Sequence, residues 1–338
     1  MSATATVRVM SPEEIAARAG GETPFLHMPE RSRFFAEREM RLRQLARGHA
    51  MEDYLGFLAL LTREQQRALQ SFPAVALPDA QAVDAAARQG VPLLPATDWP
   101  RDAAWRNTAR SMAAALMKDA PANAVDVLRR VAQADDTFLE RQADALLHGL
   151  STGLDLACAP VVGAALQVYW THMLLGVQEG HQGQGQPFGR IDDETVCPCC
   201  GSLPTASITR SSGESLGQRY LHCSLCGLQW HMVRIKCPHC LSTKSLAYQS
   251  LTGADASEDE TSAAAKARVQ AETCDDCGSY LKMVHSDRDP FVDPVADDVA
   301  SLTLDLLVSE TGKQRHGVNF MMLFGDPGSE PPPDQGGR

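Results

Sequence analysis

The stretch YLHCSLCGLQWHMVRIKCPHC, residues 220–240, decides how this chain is read. It holds two Cys-x-x-Cys pairs, Cys223/Cys226 and Cys237/Cys240, ten residues apart. Two thiolates spaced this way on a tight turn point at one ion, and a second such turn across a small sheet closes a tetrahedral shell. Working outward, a pair stands 22 residues upstream, Cys197/Cys200, and another 33 residues downstream, Cys274/Cys277. Four pairs make two four-cysteine sites. A lone pair would also suit a thioredoxin-like redox motif, but four within one segment point to metal.

Glycine follows the second cysteine in three knuckles (Gly201, Gly227, Gly278), where a positive φ turns backbone N–H groups toward sulfur. Four knuckles can be joined into two sites in three ways. The sequential joining, first with second and third with fourth, is favoured because each interval fits a strand–turn–strand. A four-thiolate shell suits zinc and also a single redox-active iron, and it leaves no open position for hydrolytic chemistry. Cys199 is a surplus thiol beside Cys200, either an alternative ligand or exposed reactive group, or simply part of a tight turn. His222, His231, His239 and His285 lie near knuckles, and with eight thiolates at hand they read as supporting residues.

The composition sets the frame. The chain has 338 residues and ten cysteines, of which Cys158 alone lies outside 197–277. The 44% hydrophobic content supports a buried core, and the length calls for several units. The first 35 residues contain no apolar run of the roughly 7–15 residues that an export signal needs, so a cytoplasmic, thiol-reducing setting is expected. Residues 156–177 carry no formal charge and are long enough to span a bilayer. Pro160, Gln167, Thr171 and His172, with no basic flank, make a buried core helix the better reading, with Cys158 an inert core thiol.

Residues 21–178 read as an α-helical domain. Ser11-Pro12-Glu13-Glu14 is a capping box ahead of it, in a flexible start over residues 1–20. Apolar positions recur at helical spacing, as in Leu55, Leu58, Leu61 and Leu69, and then Trp105, Met112 and Leu116. Asp135, Asp136 and Asp155 read as caps and solvated faces. A Gly- and Gln-rich linker covers 179–195. One ribbon then spans 196–236, and a second spans 237–325 with a C-terminal helix. That helix, over 294–310, is expected to place Val295, Val299, Leu302 and Leu306 on one face, and Asp297-Asp298 at its N-terminus facing the dipole or a partner. Residues 253–266 form an acidic low-complexity insertion, and 326–338 a disordered tail. The fold class is therefore multi-domain α+β: an α-helical N-terminal domain, two rubredoxin-like or zinc-ribbon β domains and a C-terminal helix.

No P-loop, G-x-S-x-G, H-E-x-x-H or dinucleotide fingerprint is present, so no catalytic residues are assigned and an enzyme is not expected. A net charge of −11, falling to about −15 with eight thiolates and two divalent ions, disfavours nucleic acid. A local excess of Arg210, Arg219, Arg234, Lys236 and Lys244 over Glu214, with Tyr220 and Trp230 for stacking, keeps a nucleic-acid-binding ribbon as an alternative. A rubredoxin-like electron-transfer protein is another.

The knuckle CPCCGSLPTAS (197–207), the run 220–240, AETCDDCGSYLKMV (271–284) and DPVADDVASLTLDLLVSETGKQRHGVNF (293–320) together resemble the formate dehydrogenase accessory proteins of the FdhE type. The likeness extends loosely through the helical half from Phe25. It implies a cytoplasmic assembly factor that binds the molybdenum or tungsten catalytic subunit of a respiratory formate dehydrogenase before export. It also implies metal ligation by Cys197, Cys200, Cys223, Cys226, Cys237, Cys240, Cys274 and Cys277, with iron favoured and zinc the alternative. No membrane partner is expected, and a homo-oligomer is left open. Cys199 and the acidic stretch 254–260 depart from the family pattern.

Overall fold

The computed structural model describes residues 23–181, 186–210, 217–252 and 266–323. The capping box at 11–14, most of the acidic insertion (253–265) and the tail at 326–338 lie outside them.

The helical half follows its apolar periodicity. Its helices are α1 (Phe34–Ala46), α2 (Glu52–Gln70), α3 (Ala80–Gln89), α4 (Ala104–Leu116), α5 (Ala122–Ala132), α6 (Asp136–Leu147) and α7 (Ala159–Gly180). Asp79 caps α3 by accepting from Ala82 N, and Asp135 caps α6 by accepting from Phe138 N. Asp155 caps the turn before α7 through Ala157 N and Cys158 N. α7 is the one described helix long and apolar enough to cross a membrane, yet 83% of its apolar window is buried in the protein. It is the axle of the core, with Leu166, Trp170 and Met173 fully buried beside Cys158. Burial pushes the Cys158 thiol up to about 12, with Asp155 adding to the effect, which leaves it protonated and inert.

The strands are β1 (Leu26–His27), β2 (Pro204–Thr209), β3 (Arg219–Cys223), β4 (Gln229–His231), β5 (Leu246–Gln249), β6 (Val269–Cys274), β7 (Ser279–His285) and β8 (Gln314–Arg315). They form one sheet in the order β1-β4-β3-β2-β7-β6-β5, with β8 beside the first half of β7. Ribbon 1 is the antiparallel set β2–β3–β4, and ribbon 2 is β5–β6–β7. A parallel seam joins them, pairing Ser207 with Met283 and Thr209 with His285. Ion pairs reinforce that seam. Arg219 on β3 reaches over β2 and β7 to Glu272 on β6, two bonds of 2.6 Å between side chains that are 0% and 1% exposed.

Three expectations change here. The linker is not loose where it is described: α7 continues to Gly180, Phe188 is buried, Asp192 N donates to Gly90 O, and Glu194 O accepts from Trp230 Nε1. The C-terminal helix is two helices, α8 (Ala296–Ala300) and α9 (Leu302–Glu310). The Ser301 hydroxyl donates to Asp297 O and breaks the period there. Leu304 and Val308 then face inward, while Leu306 is 54% exposed. Asp297 and Asp298 stand in the first turn of α8, as expected, but are buried within the protein. Asp297 accepts from Arg41 Nε (2.9 Å) and Nη2 (2.7 Å), and Asp298 from Arg315, Lys282 and Asn319. These bonds tie the C-terminal segment to α1 and to the sheet.

Candidate metal centre

Each knuckle is a closed turn. Gly201 N donates to Cys197 O, Leu241 N to Cys237 O and Gly278 N to Cys274 O, at 2.8–3.1 Å. In the second knuckle, Leu225 N and Cys226 N both donate to Cys223 Sγ at 3.4 Å. The residue after the closing cysteine has positive φ in all four: Gly201 (+72°), Gly227 (+74°), Gly278 (+71°) and, without glycine's freedom, Leu241 (+62°). Gly227 is required twice over, since a Cβ there would lie 2.3 Å from the Phe34 ring.

The turns bring the cysteines together in sequential pairs. Cys197, Cys200, Cys223 and Cys226 form one group, and Cys237, Cys240, Cys274 and Cys277 the other, with sulfurs in each within 4.8 Å of one another. In the first, Cys197–Cys226 is 3.6 Å, Cys200–Cys223 3.4 Å and Cys200–Cys226 3.7 Å. In the second, Cys237–Cys277 and Cys240–Cys274 are both 3.8 Å. A tetrahedron with metal–sulfur bonds of about 2.3 Å has edges of about 3.8 Å, so both groups fit a mononuclear ion. All ten cysteines are unpaired thiols.

The chemistry of the donors agrees with the geometry. In the first group burial pushes Cys197 and Cys226 up, while Cys200, buried as deeply, is pulled down by hydrogen bonds from Cys197, Cys223 and Cys226. Four crowded, desolvated thiols hold little negative charge unless a cation replaces their protons. In the second group burial pushes Cys237 up to about 12. Burial acts the same way on Cys277, but hydrogen bonds from Ser279 and His239 outweigh it and bring that thiol down to about 6.

Cys199 stays outside both groups and is 0% exposed, which removes the exposed-thiol reading. Burial pushes it up to about 11, and its carbonyl accepts from Leu94 N at 2.8 Å. No histidine is a member of either sulfur group, although His239 hydrogen-bonds to the second. His222 contacts Gln229 and Arg38, His231 contacts Gln218, and His285 sits near Thr209 and Asp287. His239 bonds Ser279 Oγ at 2.9 Å and stacks on His316. The stacking surface imagined for nucleic acid is interior: Tyr220 and Trp230 are buried with their polar atoms on Pro24 O and Glu194 O, and Arg219 is consumed by Glu272.

The supports of the first group were not legible as such. Gln167 Nε2 donates to Ser224 O (2.7 Å), Thr171 Oγ1 to Cys226 O (3.2 Å), and Gln65 steadies Gln167 at 2.8 Å. Trp170 Nε1 holds Leu94 O, while Leu94 N and Ala96 N hold the carbonyls of Cys199 and Cys200. The available signal was the four-residue spacing of two polar residues on an otherwise apolar helix.

Fold and site together define a class: a helical domain bearing two rubredoxin-like, four-cysteine ribbons fused into one sheet. Comparison with known proteins narrows it. Profiles described as FdhE N-terminal, FdhE central domain and FdhE C-terminal domain match residues 23–185, 196–234 and 235–322. An FdhE homolog of Pseudomonas aeruginosa is 40% identical over 319 residues, covering 94% of this chain and 98% of the relative. One from Yersinia enterocolitica is 38% identical over 316 residues, covering 93% and 95%. The crystal structure of the FdhE protein from Pseudomonas aeruginosa superposes with a TM-score of 0.75 at 38% identity, covering 90% of this chain and all of that one. The chain belongs to the FdhE family, in agreement with the resemblance carried by its knuckles.

Proposed function

We propose that this protein is a cytoplasmic accessory factor for a respiratory formate dehydrogenase, binding the molybdenum or tungsten catalytic subunit before export and acting without catalysis of its own. The observation that carries the reading is the pair of closed four-cysteine groups, with sulfur edges of 3.4–3.8 Å, on a chain that matches 98% of an FdhE homolog. A shell of four protein thiolates leaves no coordination position for substrate, which favours a structural or redox-responsive ion over a hydrolytic one. The eight ligands are Cys197, Cys200, Cys223 and Cys226 at site 1, and Cys237, Cys240, Cys274 and Cys277 at site 2. Iron is the favoured metal and zinc the alternative. A nucleic-acid role has less support, since the ribbon aromatics are buried.

The test is anaerobic co-purification from cells expressing the tagged catalytic subunit, with metal analysis and visible spectroscopy of the isolated protein. Recovery no greater than that of an unrelated acidic protein overturns the partner. A metal content far from two ions per chain overturns the sites.

A further inference from the structure

The shared sheet ends on one side at β5 (Leu246–Gln249), which pairs with β6 and with no other described strand. Asp275 N donates to Ser245 O, and on the far side of β6 His285 N donates to Arg268 O. The alternation of an antiparallel ladder therefore gives residues 271, 273 and 275 to β5, and 268, 270 and 272 to β7. Ala247 and Gln249, opposite Thr273 and Ala271, spend their backbone groups on β6. The N–H and C=O of Leu246 and Tyr248 point the other way, along the free edge, and no described residue bonds them. β5 itself carries neither proline nor charge, two of the devices that blunt such an edge.

The border of this edge is apolar and basic. Tyr248 Oη donates to Arg234 O at 3.1 Å, so the 233–235 loop lies against β5. Val233 (51%), Ile235 (65%), Tyr248 (44%) and Leu251 (41%) are all exposed. Single exposed apolar residues are ordinary, but these four gather on two short segments in contact. Arg234 and Lys244 are exposed beside them. The neighbouring acids are engaged elsewhere, Asp275 with Lys313, Asp276 with Ser242 and Glu272 with Arg219, which leaves both cations without a described carboxylate partner.

We propose that the β5 edge is a strand-addition site for the catalytic subunit. An extended segment of that partner pairs with the backbone of Leu246 and Tyr248, sets apolar side chains against Tyr248 and Ile235, and places a carboxylate beside Arg234 or Lys244. The proposal rests on the reading that this protein binds that subunit. In such additions the main-chain bonds supply affinity and the bordering side chains supply selectivity. A second copy of the chain would bring the same cations to the same edge, which disfavours self-pairing.

Binding of the full, metal-loaded chain to the purified catalytic subunit, with hydrogen exchange of the complex, tests this. Arg234→Glu combined with Lys244→Glu should raise Kd by at least about tenfold. Tyr248→Pro deletes the outward N–H, leaves the β6 bonds of Ala247 and Gln249 in place, and should weaken binding by a similar factor. Tyr248→Val keeps that N–H and should cost less. In the wild-type complex the amides of Leu246 and Tyr248 should exchange more slowly than in the free chain. Circular dichroism and metal content establish folding, and if the proline variant does not fold, the charge-reversed pair decides. Undiminished binding by that pair, or edge amides left unprotected, overturns the edge site while the accessory reading stands. Absence of binding by the wild-type chain overturns both. Protection of the same amides in the free protein, with a doubled mass in solution, assigns the edge to a second copy and overturns the proposal.

Discussion

The two four-cysteine groups have the same donors and nearly the same sulfur spacing, but they sit in different surroundings. At site 1 every cysteine is at most 1% exposed, and the ribbon's Leu221, Leu225, Leu228 and Trp230 belong to the main hydrophobic core with α7. At site 2 Cys240 is exposed and Cys277 partly so. Ribbon 2 reaches the main core through Leu281 on β7 and the C-terminal segment; its other apolar contacts are two small clusters, Ala271, Tyr280, Leu304 and Val308 in one and, across the seam, Val284 with Ile208 and Tyr220 of ribbon 1 in the other. Identical ligand chemistry therefore yields one site that is part of the core and one that stands at the surface. Metal at the first shares its free energy with the whole domain, whereas metal at the second is held mainly by its own ribbon.

The strongest way to break that comparison is to remove one ligand from each site. Cys200→Ser should unfold the chain broadly, because α7, the 94–96 segment and ribbon 1 lose a shared anchor. Cys240→Ser should leave the helical signal intact and cost one metal ion. Far-UV circular dichroism melts with metal analysis check this, and equal effects would show that burial does not separate the sites. In the intact protein, a chelator should empty site 2 first.

The seam comes next. Arg219→Met strands Glu272 as a buried carboxylate between the ribbons, with an expected loss of about 3–5 kcal/mol in denaturant unfolding. A loss under about 1 kcal/mol would mean that the ribbons are coupled by backbone pairing alone.

His285, at the end of the same seam, makes stability depend on pH. Burial, helped by Arg288 and Arg234 and opposed by Asp287, lowers it to about 4 from 6.5. The folded state then binds fewer protons than the unfolded chain between these values. Stability is complete above about pH 6.5 and falls as pH drops toward 4, by at most about 3 kcal/mol. His285→Gln should flatten that slope, measured by denaturant unfolding at fixed metal content. An unchanged slope would place the titration elsewhere.

The smallest effect sharpens the fourth knuckle. Leu241→Gly relieves left-handed strain of about 1 kcal/mol and should stabilise site 2 slightly in thermal melts. Destabilisation would show that the partial burial of Leu241 outweighs the strain.

Much of this was legible in the residues. Knuckle spacing and interval lengths favoured the two groups, and apolar patterning located α2, α4 and α7, because both signals are local. The buried destiny of 156–177 followed from polar residues inside an apolar run. The parallel joining of β2 to β7 was not legible, since it links residues some 76 positions apart with no turn to signal it. Nor was the role of Asp297 and Asp298, whose partners Arg41 and Arg315 come from opposite ends of the chain. Tyr220 and Trp230 read equally well as a stacking surface, because composition does not say which face of a strand is covered.

Spacings of two to four residues were enough to establish the donor set and the helical frame. Tertiary structure alone decided that the two ribbons share a sheet and that one metal site is interior and the other superficial. The physical reason is that a thiolate's identity travels with its residue, whereas its burial depends on what the rest of the chain packs against it.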